Sequence, residues 1–420
     1  MPLILHTADV HLDSPLAGLP CYEGAPQDEA RLATRRVLSN IVDLALDEGV
    51  ALVIVAGDLY DGELRDANTG LFLCSQLARL RRSGIEVVIG YGNHDAESVV
   101  TRRLPLPEGV KVLSTRRPET FVFPALGIAV HGQGYSRRDV TKELSSAYPV
   151  PVDGVVNIGV LHTAVTGRNG HSSYAPCSVE GLSARGYQYW ALGHVHEFEI
   201  LCRDPWIVFS GCPQGRGLRE CGSKGVVVID TDDEEIVSVE RHAVDVFRWA
   251  LVTADCTGAA DRDEALARVR DALRASLQHA DGRPLACRVT LSGACSADRL
   301  LGARPQRLVD EVRAVGLDVG AGQLWVESVS CATTPDGVTG DLASRRDPIA
   351  RLVLDARTQA ANPGDLLARL PNLDALTRLL PPGTLTEDHA GPEDPAWLAE
   401  RVAGAERLIL GRLGAGVEPA

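Results

Sequence analysis

Apolar residues in the first half of the chain fall into short runs joined by stretches of helical spacing. Leu3-Ile4-Leu5 is the first run. Across residues 28–48, Leu32, Val37, Leu38, Ile41, Leu44 and Ala45 recur at the intervals that line one helix face, and Gly49 follows as a stop. Residues 51–56 are apolar throughout, the pattern of a strand buried on both faces. A second helix is predicted over residues 67–82, ended by Gly84, and it leads to the run Val87-Val88-Ile89. This β-α-β-α-β alternation predicts an α/β core. Residues 155–161 and 187–192 supply two more strands.

Each run ends in side chains suited to chemistry. Asp9 and His11 follow the first; alternate residues of an extended segment point the same way, so the pair presents a carboxylate and an imidazole to one side. Asp13 is a supporting candidate beside them. Gly57 lets the chain turn and leaves Asp58, with Asp61 three residues on, at the end of the second run. Gly92-Asn93-His94-Asp95 ends the third, where Asn93 offers a neutral oxygen to a metal and His94 an imidazole to a substrate. His162 ends the fourth, and Gly193-His194-Val195-His196 the fifth, with two imidazoles at i and i+2. Five of the eleven histidines thus follow strands, and strand ends gather at one edge of an open α/β sheet. The other six, His6, His131, His171, His242, His279 and His389, carry no such pattern and read as structural or surface residues. Imidazoles mixed with carboxylates suit Mn²⁺, Fe²⁺ or Zn²⁺, and the lack of thiolates argues against a structural zinc site.

Composition narrows the setting. The 420 residues, 45% of them hydrophobic, suffice for a full core and for two or three domains. A net charge of −14 argues against nucleic-acid binding through bulk electrostatics, while leaving room for local patches such as Arg102-Arg103, Arg116-Arg117 and Arg137-Arg138. No run approaches the ~20 apolar residues that cross a bilayer, and the chain opens on strand-like residues, so the expected location is the cytoplasm, with no membrane association. The ten cysteines include no C-x-x-C pair, which predicts neither a zinc ribbon nor a disulfide framework.

The order D-x-H, G-D-x-x-D, G-N-H-D, H and G-H-x-H over residues 9–196 resembles the calcineurin-like metallophosphoesterase superfamily. Several segments resemble one branch of it, the SbcD-type repair nucleases and especially their YhaO-like relatives. They are His11-Leu12-Asp13-Ser14-Pro15, Leu161-His162-Thr163, Tyr174-Ala175-Pro176-Cys177-Ser178, Tyr189-Trp190-Ala191-Leu192-Gly193-His194, Pro213-Gln214-Gly215-Arg216 and the stretch 220–225. Gln188 departs from the pattern, since related sequences carry Asp there, which bears on a contact behind the site.

The resemblance implies a four-layer αββα sandwich and a centre of two divalent ions, Mn²⁺ first, with Fe²⁺ or Zn²⁺ as alternatives. Asp9, His11 and His196 would hold one ion, Asn93, His162 and His194 the other, and Asp58 would bridge them. His94 would contact the scissile phosphate and stabilise or protonate the leaving oxygen, with Asp95 orienting it and Asp61 as a further supporting carboxylate. The implied activity is DNA exonuclease or endonuclease cleavage in repair, with an SMC-like coiled-coil ATPase as partner and a homodimer as a compatible assembly. No G-x-x-x-x-G-K-[ST] loop occurs in the chain, so ATP hydrolysis would come from that partner. Two other readings stand beside this one. A phosphoesterase for small nucleotides or phosphoproteins fits the acidic charge, and a non-catalytic scaffold is opposed by intact Asn93, His94, His194 and His196.

Beyond Ile229 a polar turn at residues 231–235 precedes a strand at 236–239. From residue 247 a new alternation appears, with strands at 249–252, 285–291 and 324–329 and helices at 263–278 and 306–315. It predicts a small α+β domain, which resembles the capping domain of the SbcD-type nucleases. Residues 333–347 read as a linker, and helical spacing returns near 348–359, 366–380 and 397–413. The expected organisation is therefore a nuclease domain over 1–245, a capping domain over 246–332 and a helical region over 348–420, whose apolar faces either pack on the chain's own domains or, as the resemblance implies, dock the ATPase partner.

Overall fold

β1 (Leu3–Thr7), β2 (Leu52–Ala56) and β3 (Glu86–Gly90) run parallel as the centre of one sheet, and α1 (Gln27–Asp47) and α2 (Ala67–Arg82) are the crossovers between them. In the computed structural model the described residues are 2–14, 16, 19, 24, 26–61, 67–97, 106–165, 174–336, 351, 354–355, 358, 394, 397–399, 401–402 and 404–405. They divide into two units, the first within Met1–Ala17, Gln27–Arg216 and Glu220–Arg248, the second within Gly18–Pro26, Gly217–Arg219 and Trp249–Ala420. Among them no helix is long and apolar enough to cross a membrane.

In the first unit, the one-turn helix α3 (Asn93–Glu97) follows β3, and β4 (Val110–Val112) extends that sheet. β5 (Glu119–Phe123), β6 (Ile128–Gly132), β7 (Val156–His162), β8 (Tyr189–Gly193), β9 (Glu199–Arg203) and β10 (Trp206–Phe209) form a second sheet in the order β5-β6-β7-β8-β10-β9. Its outer face carries the short helix α4 (Val179–Ser183) and a 3-10 turn at Ser145–Ala147. β11 (Gly225–Asp232) and β12 (Glu235–Ala243) return the chain to the first sheet, completing β12-β11-β1-β2-β3-β4.

The two-residue period of a strand explains why the sheets stack. Ile4, Leu52, Ile54 and Val88 point one way and pack against Ile158, Val160, Tyr189 and Ala191 of the second sheet. Their neighbours Leu5, Val53, Val55, Val87 and Ile89 point the other way, into Val37, Ile41 and Leu77 of the helices. Leu161, Trp190 and Leu192 in turn meet Tyr135, Tyr148 and Leu182 on the far side. The result is the expected α/β sandwich, with a thick helical layer on one face and a thin, aromatic one on the other. Truncating Ile54, fully buried between the sheets, costs about 2–5 kcal/mol.

The second unit is built from β13 (Arg248–Asp255), α5 (Arg262–Gln278), β14 (Leu285–Cys295), α6 (Asp298–Ala303), α7 (Pro305–Gly320) and β15 (Leu324–Pro335), its sheet ordered β13-β14-β15. The Asp261 side chain caps α5 by accepting from Glu264 N at 2.9 Å. Val269, Leu273, Leu308 and Val312 of the helices bury against Val289, Leu291 and Val326 of the sheet.

Some sequence expectations change. β15 continues through Thr333 to Pro335 because these residues pair with Gly293, Ala294 and Cys295 of β14, so the linker does not begin at 333. β8 starts at Tyr189, two residues late. β4, β5, β6, β9, β10 and α6 went unpredicted; most are five residues or shorter, and β4, β5 and β9 are only partly buried, so their hydrophobic alternation is weak. The helices expected near 348–359, 366–380 and 397–413 lie largely outside the described residues.

Candidate metal centre

Because β1, β2 and β3 are parallel neighbours, as are β7 and β8, their C-terminal ends share one edge of the sandwich. Asp9 and His11 leave β1, Asp58 and Asp61 leave β2, Asn93 and His94 open α3 after β3, His162 is the last residue of β7, and His194 and His196 leave β8. The structure brings all of them together.

The route by which it does so differs from the extended geometry expected for Asp9-x-His11 and His194-x-His196. Asp9, His11, Asp58 and His194 all have positive φ, of 53°, 45°, 53° and 95°. The β1 loop folds onto the β2 loop, with Asp9 N donating to Gly57 O and His11 N to Asp58 O, both at 3.0 Å. Such left-handed residues each cost on the order of 1 kcal/mol, which the surrounding packing must offset. Gly57 has φ 100°, and a Cβ there would lie 2.3 Å from His162 Nδ1, so only glycine permits the imidazole to sit against this turn.

Two groups of donor atoms result. His162 Nδ1 donates to Ala56 O at 3.0 Å, which leaves the lone pair of the neutral ring on Nε2. That nitrogen faces Asn93 Oδ1 at 2.9 Å and Asp58 Oδ2 at 3.3 Å. In the second group, His196 Nδ1 meets Glu220 Oε1 at 2.5 Å and donates to it, so its lone pair also lies on Nε2, facing His11 Nε2 at 3.3 Å and Asp9 Oδ1 at 3.9 Å. Asp58 Oδ2 is 4.0 Å from His11 Nε2 and therefore spans both groups. Asp9, His11 and His196 have donor atoms mutually within 4.8 Å, as do Asp58, His162 and His194, and His11, Asp58 and His94. Lone pairs and carboxylate oxygens turned on one another are repulsive unless a cation or protons lie between them. The donor set thus fits divalent ions, with oxygen and imidazole ligands and a shared carboxylate.

Electrostatics follow from burial and these contacts. Burial alone would raise Asp58, but His162, His11 and His94 hold it well below the usual carboxylate range. His162 is driven the other way: despite burial, Asp58 and Asp9 raise it to about 9, so its Nε2 carries a proton at neutral pH unless a cation takes that proton's place on the lone pair. Burial and the nearby Arg216 push His11 down to about 3. Asp9 is raised, chiefly by burial.

His94 is the more open member, its side chain 31% exposed. Its Nδ1 lies 3.0 Å from Asp61 Oδ1, and its ring stands edge-on to His11. Despite burial, Asp61 and Asp58 raise its pKa. Asp95, expected to orient His94, instead accepts from Leu59 N, Tyr60 N and Gly92 N at 2.9–3.0 Å, clamping the β2 and β3 loops together. The carboxylate against His94 is Asp61, which also accepts from Ser14 Oγ at 2.8 Å. Asp13 receives Arg35 at 2.5 and 2.6 Å, together with Thr69, and so anchors α1 and α2 to the β1 loop. Gln188 Oε1 accepts from Asn157 N at 2.8 Å before the start of β8, so its departure from the pattern lies at the far end of the strand from His194.

Glu220 and Arg216 were not singled out as site residues. They lie 24 and 20 residues beyond His196 in a segment without strand or helix, so no periodicity pointed to them. Glu220 holds His196 and accepts from Arg216 N at 2.6 Å. Of the histidines without a strand-end pattern, His6 and His131 are buried, bonded to Tyr189 and to Thr120 and Asn157. His171 and His389 lie outside the described residues.

The calcineurin-like phosphoesterase family matches residues 2–198, and the middle domain of metallophosphoesterase YhaO matches residues 249–334. The uncharacterized metallophosphoesterase YhaO of Bacillus subtilis is 30% identical over 311 residues, 73% of this chain and 75% of that protein. The chain belongs to the calcineurin-like metallophosphoesterase family. As such it is a hydrolase, and its clustered imidazoles and carboxylates are candidate metal-binding groups. This metallophosphoesterase is also 27% identical over 212 residues to the DNA double-strand break repair protein Mre11 of Methanopyrus kandleri, covering 46% of this chain and 44% of that one. A solved dimetal phosphatase from Danio rerio matches at 14% identity and a TM-score of 0.36, over 58% of this chain and 96% of that one.

Proposed function

We propose that the protein is a metal-dependent DNA nuclease that hydrolyses phosphodiester bonds in repair. The observation that carries this reading is the convergence of two lone-pair-bearing nitrogens, His162 Nε2 and His196 Nε2, on carboxylate and amide oxygens in two groups joined by Asp58. In this reading Asp9, His11 and His196 hold one ion, Asn93, His162 and His194 the other, and Asp58 both. Mn²⁺ is the favoured metal, given the mix of oxygen and nitrogen donors. When bound, the pair of cations would polarise the phosphoryl oxygens and offset charge on the attacking and leaving groups.

The protein's own residues do the rest. Asp58 and Asp9 are fixed by backbone amides, His94 N donating to Asp58 Oδ1 at 2.9 Å and His194 N to Asp9. Asp61 keeps the proton on His94 Nδ1 side-on to the carboxylate and favours the charged imidazole, so His94 Nε2 can deliver a proton to the leaving oxygen. Similarity to DNA double-strand break repair proteins supports DNA as substrate; the proposal adds an SMC-like coiled-coil ATPase as partner of residues 348–420, a capping role for the domain over 246–332, and the cytoplasm as location.

A second reading, a phosphoesterase for small nucleotides or phosphoproteins, draws support from the net charge of −14. Cleavage of end-labelled linear DNA with Mn²⁺, alongside bis-p-nitrophenyl phosphate, separates the two when the parent is compared with His94→Ala. Cleavage of both, lost in the variant, supports the nuclease. Turnover of the small diester alone, with and without the ATPase partner, would overturn it in favour of the second reading.

A further inference from the structure

Arg216 stands beside this centre with most of its hydrogen-bonding capacity unspent. Its Nη1 reaches Ser14 Oγ at 3.3 Å, and that hydroxyl can accept because its own proton goes to Asp61. The two carboxylates that balance its charge stay beyond hydrogen-bond range, Asp61 Oδ2 at 4.0 Å from Nη1 and Glu220 Oε1 at 3.7 Å from Nη2. Nη2 also comes within 3.5 Å of His196 Nδ1, but that nitrogen gives its proton to Glu220 and has no lone pair to offer. A guanidinium has five N–H donors in a rigid fork. Among the described residues, only one of them meets an oxygen within hydrogen-bond distance, although the side chain is just 21% exposed.

The placement of this fork has chemical meaning. Asp61 lies 3.0 Å from His94 Nδ1 and 4.0 Å from Arg216 Nη1, so the guanidinium flanks the side of the centre where His94 acts. Its backbone is pinned by the 2.6 Å bond from Arg216 N to Glu220, and Glu220 at the same time holds His196. A cation so close to imidazoles meant for metal is unfavourable in itself. It becomes favourable when an anion with oxygens in one plane joins the metals and the fork, as a phosphoryl group does.

We infer that Arg216 is a substrate-binding residue whose Nη donors take a non-bridging oxygen of the scissile phosphate, on the His94 side of the centre. This inference rests on the phosphodiesterase reading above. Ser14 holds the fork by a hydrogen bond, and Asp61 fixes the Ser14 hydroxyl that accepts it, before the substrate arrives, so little ordering remains to be done on binding.

The test compares the parent with Arg216→Ala and Arg216→Lys. Three quantities are read: metal content of the purified proteins, affinity of the Mn²⁺-loaded proteins for inorganic phosphate by calorimetry, and steady-state hydrolysis of bis-p-nitrophenyl phosphate. Loss of a charge-assisted bond to an anion is expected to lower phosphate affinity and kcat/KM roughly 10- to 100-fold in Arg216→Ala. Metal content should be unchanged, Arg216→Lys should recover part of the loss, and added guanidinium ion should recover part of it in Arg216→Ala. Phosphate affinity within threefold of the parent, or a deficit fully accounted for by missing metal, would overturn the inference. A parent protein that binds phosphate through Arg216 yet hydrolyses no diester would instead count against the phosphodiesterase reading alone.

Discussion

Asp61 Oδ1 lies 3.0 Å from His94 Nδ1, while the neighbouring Asp95 gives its oxygens to three backbone amides. Two carboxylates flanking the same histidine thus have separate tasks, one electrostatic and one architectural. Asp61→Asn is expected to lower kcat on bis-p-nitrophenyl phosphate by about 10²-fold, since it removes the charge that favours the imidazolium. Asp95→Asn should act chiefly on stability, because it places an NH₂ against amide donors. Paired measurements of kcat and urea midpoint check the division; a larger kcat loss in Asp95→Asn at unchanged stability would refute it.

Asp58 faces both donor groups. Asp58→Asn should therefore reduce the bound metal of the purified protein to one ion or none, read by elemental analysis, whereas His94→Ala should leave it intact. Full metal occupancy in Asp58→Asn would remove Asp58 from the bridging role.

Glu220 orients His196 from behind, accepting from its Nδ1 so that Nε2 faces His11. Supporting carboxylates of this type change metal affinity by roughly 10- to 100-fold when removed. Glu220→Gln should weaken Mn²⁺ binding by about tenfold, within that range, in a chelator competition titration. An unaltered Mn²⁺ affinity would make Glu220 a purely structural residue.

His6 predicts an acid sensitivity that has nothing to do with the centre. Burial between the sheets pushes its pKa down to about 3, from 6.5 in an unfolded chain, and its partner is Tyr189 Oη at 3.0 Å. Between these values the unfolded chain binds a proton that the native one refuses, so native stability falls as pH drops from about 6.5 toward 3. The slope of one such group reaches about 1.4 kcal/mol per pH unit. Urea midpoints at pH 7 and pH 5 should diverge less in His6→Gln than in the parent, even though the variant is weaker at pH 7. Equal divergence would assign the acid sensitivity to other groups.

Much of the centre was legible because each donor follows a run of apolar residues, and apolar runs are the clearest signal in a sequence. Asp9, Asp58, Asn93, His162 and His194 all announced themselves this way. Their backbone was not legible. Left-handed turns at Asp9, His11 and Asp58 depend on backbone hydrogen bonds between loops separated by some fifty residues, which no local pattern encodes. Glu220 and Arg216 stand in the branch-like stretches 213–216 and 220–225, but their place at the centre stayed hidden for a related reason: they come from irregular chain and matter through what lies beside them in space. In the second unit the helices and strands were read correctly in outline, but β15 outran its expected end because pairing with β14, not its own composition, fixes its length.

The centre takes its donors from loops of both sheets: β1, β2 and β3 on one side, β7 and β8 on the other. Cations held there, as proposed, would act as a cross-link along one open edge of the sandwich. Chelation should accordingly loosen that edge first, with amide exchange rising at the ends of β2 and β7 while the opposite edge stays protected. Metal affinity and resistance to opening then become one linked quantity, each hundredfold excess of cation over its Kd adding about 2.7 kcal/mol to the closed sandwich.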